Sequence, residues 1–92
     1  MKTINIKIPL DIVQDLDERD RLNPQWLTTF ILAHWAYVSL VKDKPIEGLT
    51  YSYAFKIEDD IHKMVKLKAV EFDVPMNELL GRLLQRFYKV DG

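Results

Sequence analysis

The sequence predicts a small, mainly α-helical domain carrying a two-stranded antiparallel ribbon, in the order β-α-α-β-α-α. Three observations predict it. Two short segments alternate apolar and polar residues with period two. Each runs through an acidic turn into an amphipathic stretch, and each then meets a second helix start marked by proline. With 92 residues and 48% hydrophobic content, the chain suits one packed domain. It divides into a first unit at 1–41, a linker at 42–50 and a second unit at 51–92.

The first alternating segment is Ile4-Asn5-Ile6-Lys7-Ile8 and the second is Tyr51-Ser52-Tyr53-Ala54-Phe55-Lys56-Ile57. Such alternation, rich in β-branched and aromatic residues, reads as a strand with one buried face. The two align at an offset of 49 (Lys7 to Lys56), which matches Thr3 with Ser52 and Asn5 with Ala54.

Pro9-Leu10-Asp11 then leads into Ile12, Val13 and Leu16, with Asp15, Asp17, Glu18 and Asp20 reading as a solvated helix face. In the second unit Glu58-Asp59-Asp60 leads into Ile61, Met64, Val65, Ala69 and Phe72. Carboxylates in a first turn suit the partial positive charge of a helix N-terminus.

Asn23-Pro24-Gln25 is a helix start, with Asn23 as N-cap and Pro24 in the first helical position. Val74-Pro75-Met76-Asn77-Glu78 is expected to do the same job. Leu27, Phe30, Ile31, His34, Trp35, Val38 and Val41 trace one helical face. Leu79, Leu80, Leu83, Leu84 and Phe87 trace another, leaving Arg82, Gln85, Arg86 and Lys89 exposed. One unit alone leaves strand edges unpaired and an apolar face open, so the two are expected to pack as an intramolecular pseudo-dimer.

This tandem pattern resembles the ribbon-helix-helix family, to which the Arc and MetJ repressors belong, and in particular its single-chain TraY type. The residues carrying the resemblance are Thr3–Ile8 with Asn23–Leu27, and Ser52–Ile57 with Val74–Leu80. The resemblance implies a sequence-specific double-stranded DNA-binding regulator, a repressor of the kind found in phages, viruses and plasmids. Its ribbon would enter the major groove of operator DNA. Thr3, Asn5, Lys7, Ser52, Ala54 and Lys56 would then read base edges. Lys2 and the backbone around Asn23, Gln25, Met76 and Asn77 would hold phosphates. Pro24 and Pro75 each remove one amide donor from that grip. Self-association on DNA is a further expectation, and the compartment implied is the cytoplasm, at the nucleoid when bound.

Composition tests this against rivals. Thirteen Lys and Arg stand against 14 Asp and Glu, a net charge of -1, so any basic surface must be local. Residues 1–10 and 48–57 contain Lys2, Lys7 and Lys56 and no acid, while Asp11 to Asp20 and Glu58 to Asp60 are acid-rich. The acidic helices support an alternative reading as a protein-interaction module, an anti-repressor or assembly adaptor.

The absence of cysteine excludes thiol nucleophiles and Cys-based zinc sites. Glu58, Asp59, Asp60 and His62 offer at best half a metal site and read as helix-start carboxylates. No Gly-rich phosphate loop or nucleophile constellation stands out, so no enzyme activity, cofactor or small-molecule substrate is expected. His34 reads as a satisfied core or interface histidine, and Trp26, Trp35, Tyr51 and Tyr53 as core or interface aromatics. The uncharged run Leu22–Val41 is broken by polar residues and reads as a buried helix, with no membrane contact expected.

Overall fold

The computed structural model describes residues 1–89. Strand β1 (Lys2–Pro9) passes without a break into helix α1 (Leu10–Glu18), and helix α2 (Pro24–His34) continues as a 3₁₀ helix (Trp35–Val41). After the linker come strand β2 (Thr50–Ile57), helix α3 (Asp59–Phe72) and helix α4 (Met76–Phe87). The domain is mostly helical, with one two-stranded antiparallel sheet. No helix among the described residues is long and apolar enough to cross a membrane.

Alternation dictates the ribbon. Ile4, Ile6 and Ile8 of β1 and Phe55 and Ile57 of β2 are buried on one face, and Thr3, Asn5, Ser52, Ala54 and Lys56 are exposed on the other. The register pairs Thr3 with Lys56, Asn5 with Ala54 and Lys7 with Ser52. Each strand extends slightly beyond the alternating segment read from sequence.

Beneath the ribbon, α4 contributes Leu79, Leu80, Leu83 and Leu84, all fully buried, at about 2 kcal/mol of burial each. Gly81 lets α4 approach β1 closely, because a Cβ at this position would collide with the Lys7 carbonyl oxygen and the Ile46 side chain. Helix α2 adds Leu27, Phe30 and Ile31, and α1 and α3 close the core with Ile12, Leu16, Val65 and Ala69.

Helix ends follow local chemistry. Asn23 caps α2 as expected, its Oδ1 accepting from the Trp26 N–H at 2.8 Å. The expectation for the second start needs correction. Pro75 is the N-cap of α4, not its first helical residue, and its carbonyl accepts from Leu79 N–H. Helices α1 and α3 terminate alike: Asp20 (φ 60°) and Asp73 (φ 56°) are left-handed, and the next residue bonds back to Leu16 and Ala69 respectively. The second unit has the longer first helix (14 residues against nine) but the shorter turn.

Three further sequence expectations are corrected. The helix read as continuous to Val41 changes to 3₁₀ geometry at His34 (φ -107°, ψ 1°). There the imidazole Nδ1–H donates to the Phe30 carbonyl at 2.8 Å, and Trp35 N–H bonds to Leu32, three residues back. Arg82, expected on the exposed face, has a side chain only 10% exposed. Its Nη1 donates to the Val41 and Lys42 carbonyls, which staples the linker to α4. Gln85 completes the staple through two hydrogen bonds to the Glu47 backbone.

Asp15 is the third correction. It is buried, not part of a solvated face, because the Tyr88 hydroxyl donates to its Oδ2 and Arg19 donates to its Oδ1 at 3.1 Å. Arg21 in turn donates to the Tyr88 oxygen and lies over the Trp26 and Tyr88 rings. The Tyr88 hydrogen bond is the main cause that holds the Asp15 carboxyl below its ordinary range, against an opposing push from burial. Burial and the carboxylate together raise the Tyr88 hydroxyl.

Candidate nucleic-acid interface

A two-residue period on paired strands sends alternate side chains to one face. The structure therefore brings Thr3, Asn5, Lys7, Ser52, Ala54 and Lys56 together on the outer surface of the ribbon. Asn5 and Ala54 lie at its centre, with the Thr3–Lys56 and Lys7–Ser52 pairs on either side. The face carries two cations and no acid. Lys2 is placed differently. It is exposed at the ribbon's end but shares the parity of Ile4, Ile6 and Ile8, so it does not join this outer row.

The two lysines differ in their surroundings. Lys56 is exposed and has no ion-pair partner among the described residues. Lys7 has a side chain 40% exposed, with its Nζ 4.0 Å from Oε1 of Glu78 in the first turn of α4. The other Glu78 oxygen accepts from Arg82 Nε at 2.8 Å and from Ile46 N–H at 3.2 Å. Burial pushes the Glu78 carboxyl up, but these hydrogen bonds and the Arg82 and Lys7 charges outweigh it and leave the group below its ordinary value. Sequence reading missed Glu78. The signal for its Arg82 contact was the four-residue helical spacing, whereas the Lys7 contact depends on tertiary packing.

A helix start flanks the ribbon in each of two shallow clefts. One, of about 260 Å³, is lined by Thr3, Ile4, Asn5, His62, Met76 and Asn77. Another, of about 350 Å³, brings Lys56 and Ile57 beside Pro24, Gln25, Thr28 and Thr29, with Met1 and the exposed carboxylate Glu58 also on its wall. Candidate base-reading and phosphate-holding residues thus share the same clefts.

The two starts offer unequal donor sets. At α2, Asn23 N–H is used by the Arg21 carbonyl and Trp26 N–H by the Asn23 side chain. The Asn23 Nδ2 donates to the Asp20 carbonyl, so that side chain is spent as well. Pro24 has no N–H, which leaves Gln25 as the available amide. At α4, the Met76, Asn77 and Glu78 amides have no acceptor among the described residues, as for any first helical turn. Pro75 does not weaken this set, because its missing N–H lies outside the helix. Asn77 Oδ1 is buried without a hydrogen-bond partner among the described residues.

The helix-start carboxylates have local roles. Asp59 pairs with the N-terminal ammonium at 3.2 Å, and Asp60 accepts from Ile61 N–H. His34 is half-buried between the Phe30 and Phe87 rings. Trp26, Trp35 and Tyr53 pack partly buried against the core, while Tyr51 is 47% exposed at the ribbon's end.

Comparison with protein-family models, with curated proteins and with solved structures finds no match to this chain.

Proposed function

We propose that the chain is a sequence-specific double-stranded DNA-binding regulator, a transcriptional repressor, that lays its β1–β2 ribbon in the major groove. The observation that carries this reading is the acid-free outer face of six small or hydrogen-bonding residues, flanked by a helix start in each of two clefts. A two-stranded ribbon fits a major groove about 12 Å wide. Lysine donates to guanine O6 and N7, Asn pairs with adenine, Thr and Ser adapt, and Ala meets the thymine methyl. The α4 amides, and the Gln25 amide at α2, are suited to phosphates.

The register supports a pseudo-dimer of ribbon-helix-helix halves. Residues matched in sequence at an offset of 49 exchange places across the pairing: Thr3 faces Lys56, Lys7 faces Ser52, and Asn5 faces its own counterpart Ala54. A two-fold axis through the Asn5–Ala54 pair produces this relation. The left-handed aspartates that end α1 and α3 repeat it in the helical layer. Because Asn5 and Ala54 differ chemically, the site read would be non-palindromic.

Selection from a randomised duplex pool at low salt, followed by anisotropy titration, tests the reading. A defined sequence should emerge, and Lys7→Ala with Lys56→Ala should weaken binding at least about tenfold, the loss of about 1.4 kcal/mol. Unchanged affinity in that double variant overturns ribbon readout. Failure of the wild type to bind any duplex would favour the interaction-module reading, which the exposed Asp11, Asp17, Glu18 and Asp20 support.

A further inference from the structure

The ribbon fixes where the two outer helices lie. Helix α1 begins directly after Pro9, which pairs with Thr50. Helix α3 begins at Asp59, just beyond Ile57, which pairs with Lys2 at the opposite end. Eight paired positions separate these ends by roughly 24 Å. Contacts with α4 agree: Asp15 of α1 meets Tyr88 beyond its C-terminal end, whereas His62 of α3 shares a cleft with Met76 and Asn77 at its start. The twelve-residue α4 spans roughly 18 Å.

These separated helices present unlike surfaces. The exposed side of α1 and its following turn carries Asp11, Asp17, Glu18 and Asp20, beside Leu10 at 46% exposure. None of the four acids has an ion-pair partner among the described residues. Outward on α3 are Lys63, Lys66, Leu67 and Val70, the last two 60% and 72% exposed, and the turn that follows adds one exposed acid, Asp73, in a cleft with Lys66 and Val70. The other charges of that helix are engaged. Asp59 pairs with the N-terminal ammonium, Asp60 accepts from a backbone amide, and Lys68 pairs with Glu71 at 2.9 Å. Lys63 and Lys66 have no ion-pair partner among the described residues.

We infer that the occupant of the α3 face is a second copy of this chain, docked through its acidic α1 face. Opposite charges would meet around apolar side chains that neither copy covers by itself, and like faces would repel. The contact is therefore heterologous, joining one end of a molecule to the other end of the next. Such contacts extend into rows unless their rotation closes a ring. Lysine–carboxylate pairs at this surface set orientation and are screened within about 3 Å at 1 M salt. This inference does not rest on DNA binding, since none of these residues belongs to the ribbon's outer face.

Sedimentation of the full chain without DNA tests it. At low salt the average mass should rise with concentration past the dimer, and 1 M salt should weaken association at least tenfold. Asp17→Asn with Glu18→Gln should be monomeric alone, as should Lys63→Gln with Lys66→Gln, since each pair of changes removes charge from one face without creating the opposite charge there. An equimolar mixture of these two variants should form a one-to-one heterodimer that grows no further, because one native acidic face meets one native basic face. A monomeric wild type at all concentrations, continued self-association of either variant, or a mixture that stays monomeric overturns the inference. A wild type that stops at a symmetric dimer also overturns it.

Discussion

Glu78 of α4 reaches Lys7 of β1 across 4.0 Å, so one of the two cations on the ribbon's outer face is bound to a carboxylate before any partner arrives. The same carboxylate anchors Arg82 and the Ile46 amide. Ribbon, fourth helix and linker therefore meet at a single acidic side chain, in the first turn where a phosphate would compete with it.

Glu78→Gln should tighten duplex binding. Glutamine keeps an oxygen for Arg82 and Ile46 but releases Lys7, and a partly exposed pair of this kind costs about 0.5–1 kcal/mol to break. Affinity at low salt should rise about threefold, and its dependence on salt should steepen if Lys7 then meets a phosphate. Anisotropy titrations across a salt series measure both. Unchanged affinity would mean that Glu78 does not restrain Lys7.

Gly81→Ala should destabilise the fold even though alanine favours helix by about 1 kcal/mol. The added Cβ meets the Lys7 carbonyl, a backbone atom that cannot rotate away, and the Ile46 side chain. Overpacking typically costs about 1–3 kcal/mol, and a rigid neighbour puts this site at the upper end. A net loss of about 2 kcal/mol lowers the Tm by roughly 10 °C for a domain of this size. A rise in Tm would contradict the close approach of α4 to β1.

What the sequence disclosed and what it hid divide along contact range. The alternation of Ile4, Ile6 and Ile8 and of Phe55 and Ile57 marked the buried ribbon face, because strand period is a local property. The Asn23 cap was readable for the same reason, since donor and acceptor lie three residues apart. Asp15 was misread because its decisive neighbour, Tyr88, lies 73 residues away. Its Arg19 contact was within reach of four-residue spacing. Gly81 did carry a signal, as a glycine on a helix otherwise rich in Leu commonly marks a close approach. Pro75 was placed one position too far into α4 because proline suits both the first helical residue and the residue before it. For the candidate site, the six outer residues followed from period two, whereas the Lys7–Glu78 contact required the tertiary fold.

Acid should loosen the protein through Asp15 and Glu78, and alkali through Tyr88. Both carboxyls lie below their ordinary values of 3.8 and 4.5 in the fold, so their contribution is complete above those values and is lost as pH falls through the lower folded ones. Tyr88 lies above 10.0, so its contribution is complete below that pH and is lost as pH rises further. Tyr88→Phe removes the largest cause of the Asp15 shift. Its acid transition should begin at higher pH than that of the wild type, and the alkaline loss due to Tyr88 should vanish. Thermal melts followed by circular dichroism between pH 2 and pH 11 check both limbs.

Asn77 should show opposed effects on stability and binding. Its Oδ1 is buried without a hydrogen-bond partner among the described residues, and the residue lines the cleft with Thr3 and Asn5. Removing an unsatisfied buried acceptor typically recovers about 1 kcal/mol, and alanine adds helix propensity. Asn77→Ala should therefore raise the Tm by about 4–8 °C. If the cleft holds the DNA backbone beside the ribbon, the same substitution should weaken duplex binding, because it removes a polar group from the phosphate-facing start of α4. A higher Tm with weaker binding is the pattern of a site kept polar at the expense of stability. A higher Tm with unchanged binding would place the phosphate contact elsewhere, and a lower Tm would mean that the amide serves the fold.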